Sequence, residues 1–169
     1  MSKWAADREL RVNQAGEYGA KRIYEGQLSV LKKHKDIGEM LAQELEHLEY
    51  FNSQLRQRKI RPTLLQPFWH VGGFLLGKVT AMMGEKAAMA CTVAVEEVIG
   101  QHYQAQLEAL QDVPSEPELK MRIKQFCDEE LEHHDHGLAS GAEQAHGYSV
   151  LKFAISNITR LAIALSKRI

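Results

Sequence analysis

Glutamate and histidine three residues apart are the first pattern in this chain that could do chemistry. On a helix, a Glu-x-x-His pair puts both side chains on one face, one turn apart, where both can reach the same metal ion. The pair occurs at Glu44/His47, at Glu130/His133 and at Glu143/His146. With 17 Glu and 8 His in 169 residues, roughly one such pair arises by chance, so the spacing alone is weak. Placement strengthens two of the three. Glu17, Glu44, His47, Glu96, Glu130 and His133 each fall on the apolar stripe of their own helix, where an ionised carboxylate is costly unless it is paired or binds metal. The bland alternative, four glutamates at helix margins and two core-edge histidines, has to recur at all six positions in a repeated order. Glu143/His146 stands apart, just before Gly147 at a helix end, with no striped glutamate helix preceding it. Four carboxylates and two imidazoles from four helices can hold two ions inside a bundle, with carboxylates bridging. Hard oxygen donors with imidazole and no thiolate suit iron or manganese.

Helical periodicity supplies the elements that must position these groups. Residues 3–33 carry Leu10, Glu17, Ala20, Tyr24, Leu28 and Leu31 on one stripe, and residues to 58 carry Ile37, Met40, Leu41, Glu44, His47, Phe51 and Leu55. Asp36 with Glu39 reads as a capping box opening this second helix. Arg61-Pro62-Thr63 breaks the pattern. Residues 85–111 are striped by Met89, Val93, Glu96, Tyr103, Leu107 and Leu110. Val113-Pro114-Ser115 ends that helix, and Ser115 with Glu118 reads as the cap of the next, which carries Leu119, Ile123, Phe126, Glu130, His133 and Gly137 to about residue 140. A helix with a striped Glu thus precedes a helix with Glu-x-x-His twice, in hairpins 3–58 and 85–140. The expected fold is an all-α four-helix bundle forming a single domain over 1–169.

Two further segments are greasy. Residues 64–83 contain Lys78 as their only charge. Their proline and glycines argue against a full crossing, and Trp69 and Lys78 suit the water side of an interfacial helix. This segment is the long crossover between the hairpins. Segment 148–166 is amphipathic, with Lys152 and Arg160 interrupting Leu151, Phe153, Ile155, Ile158, Leu161, Ile163 and Leu165.

Composition fits this picture. Apolar residues make up 44% and charged residues 25%, ordinary for a soluble or peripheral globular protein. A net charge of -1 argues against nucleic acid as a partner. Cys91 and Cys127 form no short-spaced motif, so a reducing compartment is the simpler expectation. The N-terminus Met-Ser-Lys-Trp-Ala-Ala-Asp carries no apolar signal and no basic, Ser-rich transit segment; whether a segment has been removed stays open.

Three blocks are more specific than the spacings. Gln14-Ala15-Gly16-Glu17-Tyr18-Gly19-Ala20, Ala90-Cys91-Thr92-Val93-Ala94-Val95-Glu96-Glu97 and Asp128-Glu129-Glu130-Leu131-Glu132-His133-His134-Asp135 resemble the demethoxyubiquinone hydroxylase family of ubiquinone biosynthesis, and the resemblance covers nearly the whole chain. It implies a ferritin-like di-iron fold with two Fe ions per chain, held by Glu17, Glu44, His47, Glu96, Glu130 and His133. It implies a monooxygenase that uses dioxygen and an external reductant such as NADH to hydroxylate the ring of a demethoxyubiquinone. It also implies peripheral attachment to the matrix side of a mitochondrial inner membrane or the cytoplasmic face of a bacterial inner membrane. A lipid-presenting partner protein and homo-oligomerisation are further expectations. An iron-storage protein, a di-iron hydroxylase of another substrate, and an assembly factor with incidental metal are the alternatives.

Secondary residues follow. Tyr103, on the Glu96 stripe, could hold quinone near the metal or be a core tyrosine with a satisfied hydroxyl. His102 is a candidate for a substrate or proton role. Asp128 and Asp135 could orient ligand histidines or lie on a solvated face. Glu97 and Glu129 turn about 100° from their neighbouring ligands and read as exposed or supporting. Cys127 reads as core packing.

Overall fold

Glycine and small side chains decide how closely these helices approach. In the computed structural model, residues 3–110 and 116–168 are described. They form six α-helices, α1 (Lys3–Val30), α2 (Lys35–Arg58), α3 (Gln66–Met82), α4 (Glu85–Ala109), α5 (Pro117–Ala139) and α6 (Tyr148–Ser166), with a short 3-10 helix at Ala142–Gln144. No strand occurs among the described residues. The fold is an all-α bundle in which α1 pairs with α2, α4 pairs with α5, α3 lies along α1, and α6 lies along α4. One continuous core runs through it, with Leu10, Tyr24, Ile37, Phe51, Met89, Val93, Ile123 and Phe126 almost fully buried.

The crossover helix sits on α1 because two of its turns lack side chains. A Cβ on Gly77 would collide with the Ile23 carbonyl, and one on Gly73 would stand 2.9 Å from the Gly19 carbonyl oxygen. Backbone touches backbone there, as only glycine permits. One face of α3 is thereby buried, and Phe68, Val71, Leu75, Val79 and Met82 are left exposed on the other. In α6, Ile155 and Ser156 face α4, where the Ser156 hydroxyl donates to the Ala94 carbonyl at 3.2 Å; Val150, Phe153, Ile158 and Leu161 are exposed. Among the described residues α6 is the one helix long and apolar enough to span a bilayer by length and composition.

Helix boundaries differ from the sequence expectation at two ends. The first helix stops at Val30 rather than residue 33. The second is capped by His34, whose ring accepts from the Ile37 N–H at 3.5 Å, and not by Asp36. Asp36 sits inside the first turn, where its charge favours the helix dipole, and lies 3.2 Å from His136. The Ser115 cap lies outside the described residues; α5 has Glu116 at its N-cap, with Pro117 opening the helix.

Candidate metal centre

Six ionisable side chains converge in the middle of the bundle. Glu17 comes from α1, Glu44 and His47 from α2, Glu96 from α4, and Glu130 and His133 from α5; all six are buried, the least so His133 at 3% exposure. They form two groups, Glu17/Glu44/His47/Glu130 and Glu44/Glu96/Glu130/His133, each with one donor atom per residue within 4.8 Å of the others. Glu44 and Glu130 belong to both. Glu130 stands between the histidines, its Oε1 3.2 Å from His47 Nδ1 and its Oε2 3.4 Å from His133 Nδ1.

The hydrogen bonds divide Glu17, Glu96, His47 and His133 into an outer, held atom and an inner, free one. The Tyr103 hydroxyl donates to Glu17 Oε1, and the Tyr24 hydroxyl donates to Glu96 Oε1 at 2.5 Å. His47 Nε2 pairs with Glu129 at 2.5 Å and His133 Nε2 with Gln43 at 2.7 Å. Glu17 Oε2, Glu96 Oε2, both oxygens of Glu44 and of Glu130, and Nδ1 of each histidine are buried and make no hydrogen bond. Buried polar atoms are rarely left so. Here they are the facing atoms of the two groups, with two carboxylates shared between the groups and a further carboxylate and an imidazole on either side. That donor set fits a pair of divalent ions, whose four charges the four carboxylates balance.

Electrostatics point the same way. Burial pushes Glu17, Glu44 and Glu96 above the usual carboxylate range, and the Glu130 charge pushes further in the same direction. Burial opposes ionisation of Glu130 too, but His133 and His47 outweigh it and hold that carboxyl down at about 2. For the histidines burial favours the neutral ring, yet the adjoining carboxylates prevail, Glu130 and Glu17 lifting His47 to about 12 and Glu130 and Glu44 lifting His133 to about 11. The metal-free cluster therefore retains protons where cations would sit, so binding metal would release them.

His102 and Tyr103 part company. Tyr103 reaches the cluster through Glu17. His102 lies outside both groups; its Nε2 accepts from Gln106 at 2.7 Å, and Gln106 is paired with Asn13 by two amide contacts at 2.6 and 2.9 Å. Burial, helped by Lys167, lowers His102 to about 4. A neutral ring is required by its role as acceptor, so its 3.4 Å approach to Glu9 is no ion pair. Glu143 and His146 are exposed and belong to neither group. Asp128 binds Lys124 at 2.8 Å and Asp135 pairs with its neighbour His134, so neither orients a ligand histidine. Cys127 is packed against the Gly100 carbonyl.

Tyr24, Gln43 and Glu129 carry supporting roles that stripes alone do not reveal. A repeat in the sequence does. Each tyrosine stands seven residues after the glutamate of its own helix, Glu17 to Tyr24 and Glu96 to Tyr103, and holds the glutamate of the other. Gln43 and Glu129 each precede the glutamate of their own Glu-x-x-His pair and hold the histidine of the other.

An apolar cavity of about 260 Å³ lies beside this centre, between α1, α3, α4 and α6, lined by Gly16, Ala20, Trp69, Leu76, Ile99 and Ile158 among others. None of the six cluster residues lines it. The Trp69 indole donates to the Ser166 hydroxyl at 3.2 Å at one side.

Residues 5–166 match the family described as ubiquinone biosynthesis protein COQ7. The chain belongs to that family. A COQ7-family relative from Rhodospirillum rubrum, the 3-demethoxyubiquinol 3-hydroxylase, is 53% identical over 167 residues, covering 96% of this chain and 78% of the relative. The human NADPH-dependent mitochondrial 3-demethoxyubiquinone 3-hydroxylase is 49% identical over 174 residues, covering 100% and 80%. The mitochondrial 5-demethoxyubiquinone hydroxylase of Saccharomyces cerevisiae is 41% identical over 181 residues, covering 96% and 78%.

Proposed function

We propose that this protein is a di-iron monooxygenase of ferritin-like fold that hydroxylates the ring of a demethoxyubiquinol in ubiquinone biosynthesis. The observation that carries it is the set of free buried donor atoms on Glu17, Glu44, His47, Glu96, Glu130 and His133, in a chain similar to hydroxylases of that substrate. Bound there, two ferrous ions would supply the reduction of dioxygen, one atom of which enters the ring while the other leaves as water.

The residues of the chain do the rest. Tyr24 and Tyr103 fix the terminal carboxylates from outside, and burial with the neighbouring Glu96 charge keeps the Tyr24 hydroxyl protonated as a donor. Glu129 and Gln43 each accept a hydrogen bond from the Nε2–H of one histidine, which turns Nδ1 toward the centre. Phe51 and Phe126, packed around His47 and Tyr103, exclude water. The apolar cavity suits a polyprenyl quinone. That substrate stays in the bilayer, so the exposed apolar faces of α3 and α6 dock the enzyme on a membrane surface. The membrane is the matrix face of the mitochondrial inner membrane or the cytoplasmic face of a bacterial one; the human relative is named mitochondrial, and another comes from Rhodospirillum rubrum. The same face accommodates a second copy or a lipid-presenting partner. An external nicotinamide supplies the electrons; the name of the human relative specifies NADPH, so NADPH and NADH are compared directly in the test.

The test is anaerobic loading with ferrous iron and a count of iron per chain, followed by demethoxyubiquinol, reductant and dioxygen, with products read by mass spectrometry. Two irons and a product heavier by one oxygen are expected. Two irons without ring product would move the assignment to iron storage or another substrate.

A further inference from the structure

The two halves of the centre obey one pattern and break it once. Around Glu44 the chain reads Gln43-Glu44-Leu45-Glu46-His47; around Glu130 it reads Glu129-Glu130-Leu131-Glu132-His133. Four of the five residues are identical. The exception is the residue that holds the opposite histidine. His47 Nε2 meets a carboxylate oxygen of Glu129, whose other oxygen accepts from Gln125 at 3.0 Å. His133 Nε2 meets the carboxamide oxygen of Gln43. The terminal glutamates are matched, with one tyrosine on each.

A carboxylate accepting an imidazole N–H draws the proton toward itself and makes the far nitrogen a stronger donor; a neutral amide does so less. From the Glu129/Gln43 difference we infer that the two metal subsites are unequal. The His47 subsite, with Glu17, fills first and binds more tightly; the His133 subsite, with Glu96, fills second. Glu129 and Gln43 are positioning residues that set this order. The inference rests on the two-metal reading of the cluster.

Anaerobic titration calorimetry with ferrous ion alone, on the full chain, tests it. Wild type should show two binding events of different affinity. Glu129→Gln should weaken the tighter event by about tenfold to a hundredfold and bring the two together, with the weaker event unmoved. Gln43→Glu should tighten the weaker event, an outcome that general damage to the fold cannot imitate. With one equivalent of iron-57, Mössbauer spectra of wild type should show one dominant doublet, and those of Glu129→Gln two of comparable area. Two equal events in wild type, or equal weakening of both by Glu129→Gln, would overturn the inequality while leaving the two-metal reading intact. Absence of binding in wild type would overturn both.

Discussion

The centre of the bundle and the outer faces of α3 and α6 invert the usual sorting of side chains in opposite senses. Inside, four carboxylates and two histidines occupy positions that elsewhere hold Phe51 or Met89. Outside, Phe68, Val71, Phe153 and Leu161 stand exposed where charges belong. Each region is unfavourable for the isolated chain, and under the proposed function each would be relieved by something the chain does not contain, cations in one case and an apolar phase in the other. The interior is held by directional hydrogen bonds and depends on the identity of each partner atom; the surface is held by composition and tolerates many substitutions.

Removing one side should leave the other intact. Glu130→Ala takes the shared bridge from both groups, so bound iron should fall well below two per chain and ring hydroxylation by more than about a hundredfold. Iron counting and product analysis check this, and vesicle binding should be unchanged. Phe68→Asp and Phe153→Asp work in reverse. Each removes a side chain whose burial contributes about 1.5–3 kcal/mol, so flotation with phospholipid vesicles should drop about tenfold or more per site while two irons still bind. Retained flotation would show that these faces do not meet lipid.

Gly77→Ala probes the seam between the regions. Its new methyl meets the Ile23 carbonyl on α1, and overpacking of that kind costs about 1–3 kcal/mol. The melting temperature should fall by roughly 2–4 °C per kcal/mol in a chain of this size.

The smallest effect is on pH. His47 and His133 are raised from 6.5 to about 12 and about 11 in the metal-free fold, so their stabilising contribution is full below pH 6.5 and is lost as pH rises toward those values. Glu44 and Glu96, also raised, act with the same sign. Glu130, depressed to about 2, acts oppositely, but only below the ordinary carboxylate range. Thermal melts of metal-free protein should therefore fall from pH 6.5 to 9, and iron-loaded protein, whose ligands hold cations instead of protons, should change less. A metal-free melt that rises with pH would contradict the cluster electrostatics.

Much of this arrangement is legible in the chain itself. Helical stripes locate the four helices that carry the cluster because burial enforces the 3.6-residue period, and the crossover shows as an apolar run. The six clustered residues stand out because charged groups interrupt those stripes at repeated positions. Caps are harder to read. Asp36 and Glu39 have the form of a capping box, yet His34 enters the helix earlier and takes the N–H instead. Partners across the bundle are hardest. Asp128 and Glu129 look equivalent beside Glu130, yet Glu129 reaches His47 on α2 while Asp128 turns to Lys124 on its own helix. Gln43 carries no charge to attract notice, and comparison of the two five-residue repeats is the one sequence signal that finds it.

The crossed hydrogen bonds have a consequence for how the protein is made. The first hairpin to leave the ribosome contains Glu17, Glu44 and His47, but Tyr103, which braces Glu17, and Glu129, which braces His47, belong to the second. A half-synthesised chain thus has the candidate ligands without their supports. Under the two-metal reading, selection of the metal would be deferred until the hairpins dock, so that completing the fold and arming the enzyme would be one event.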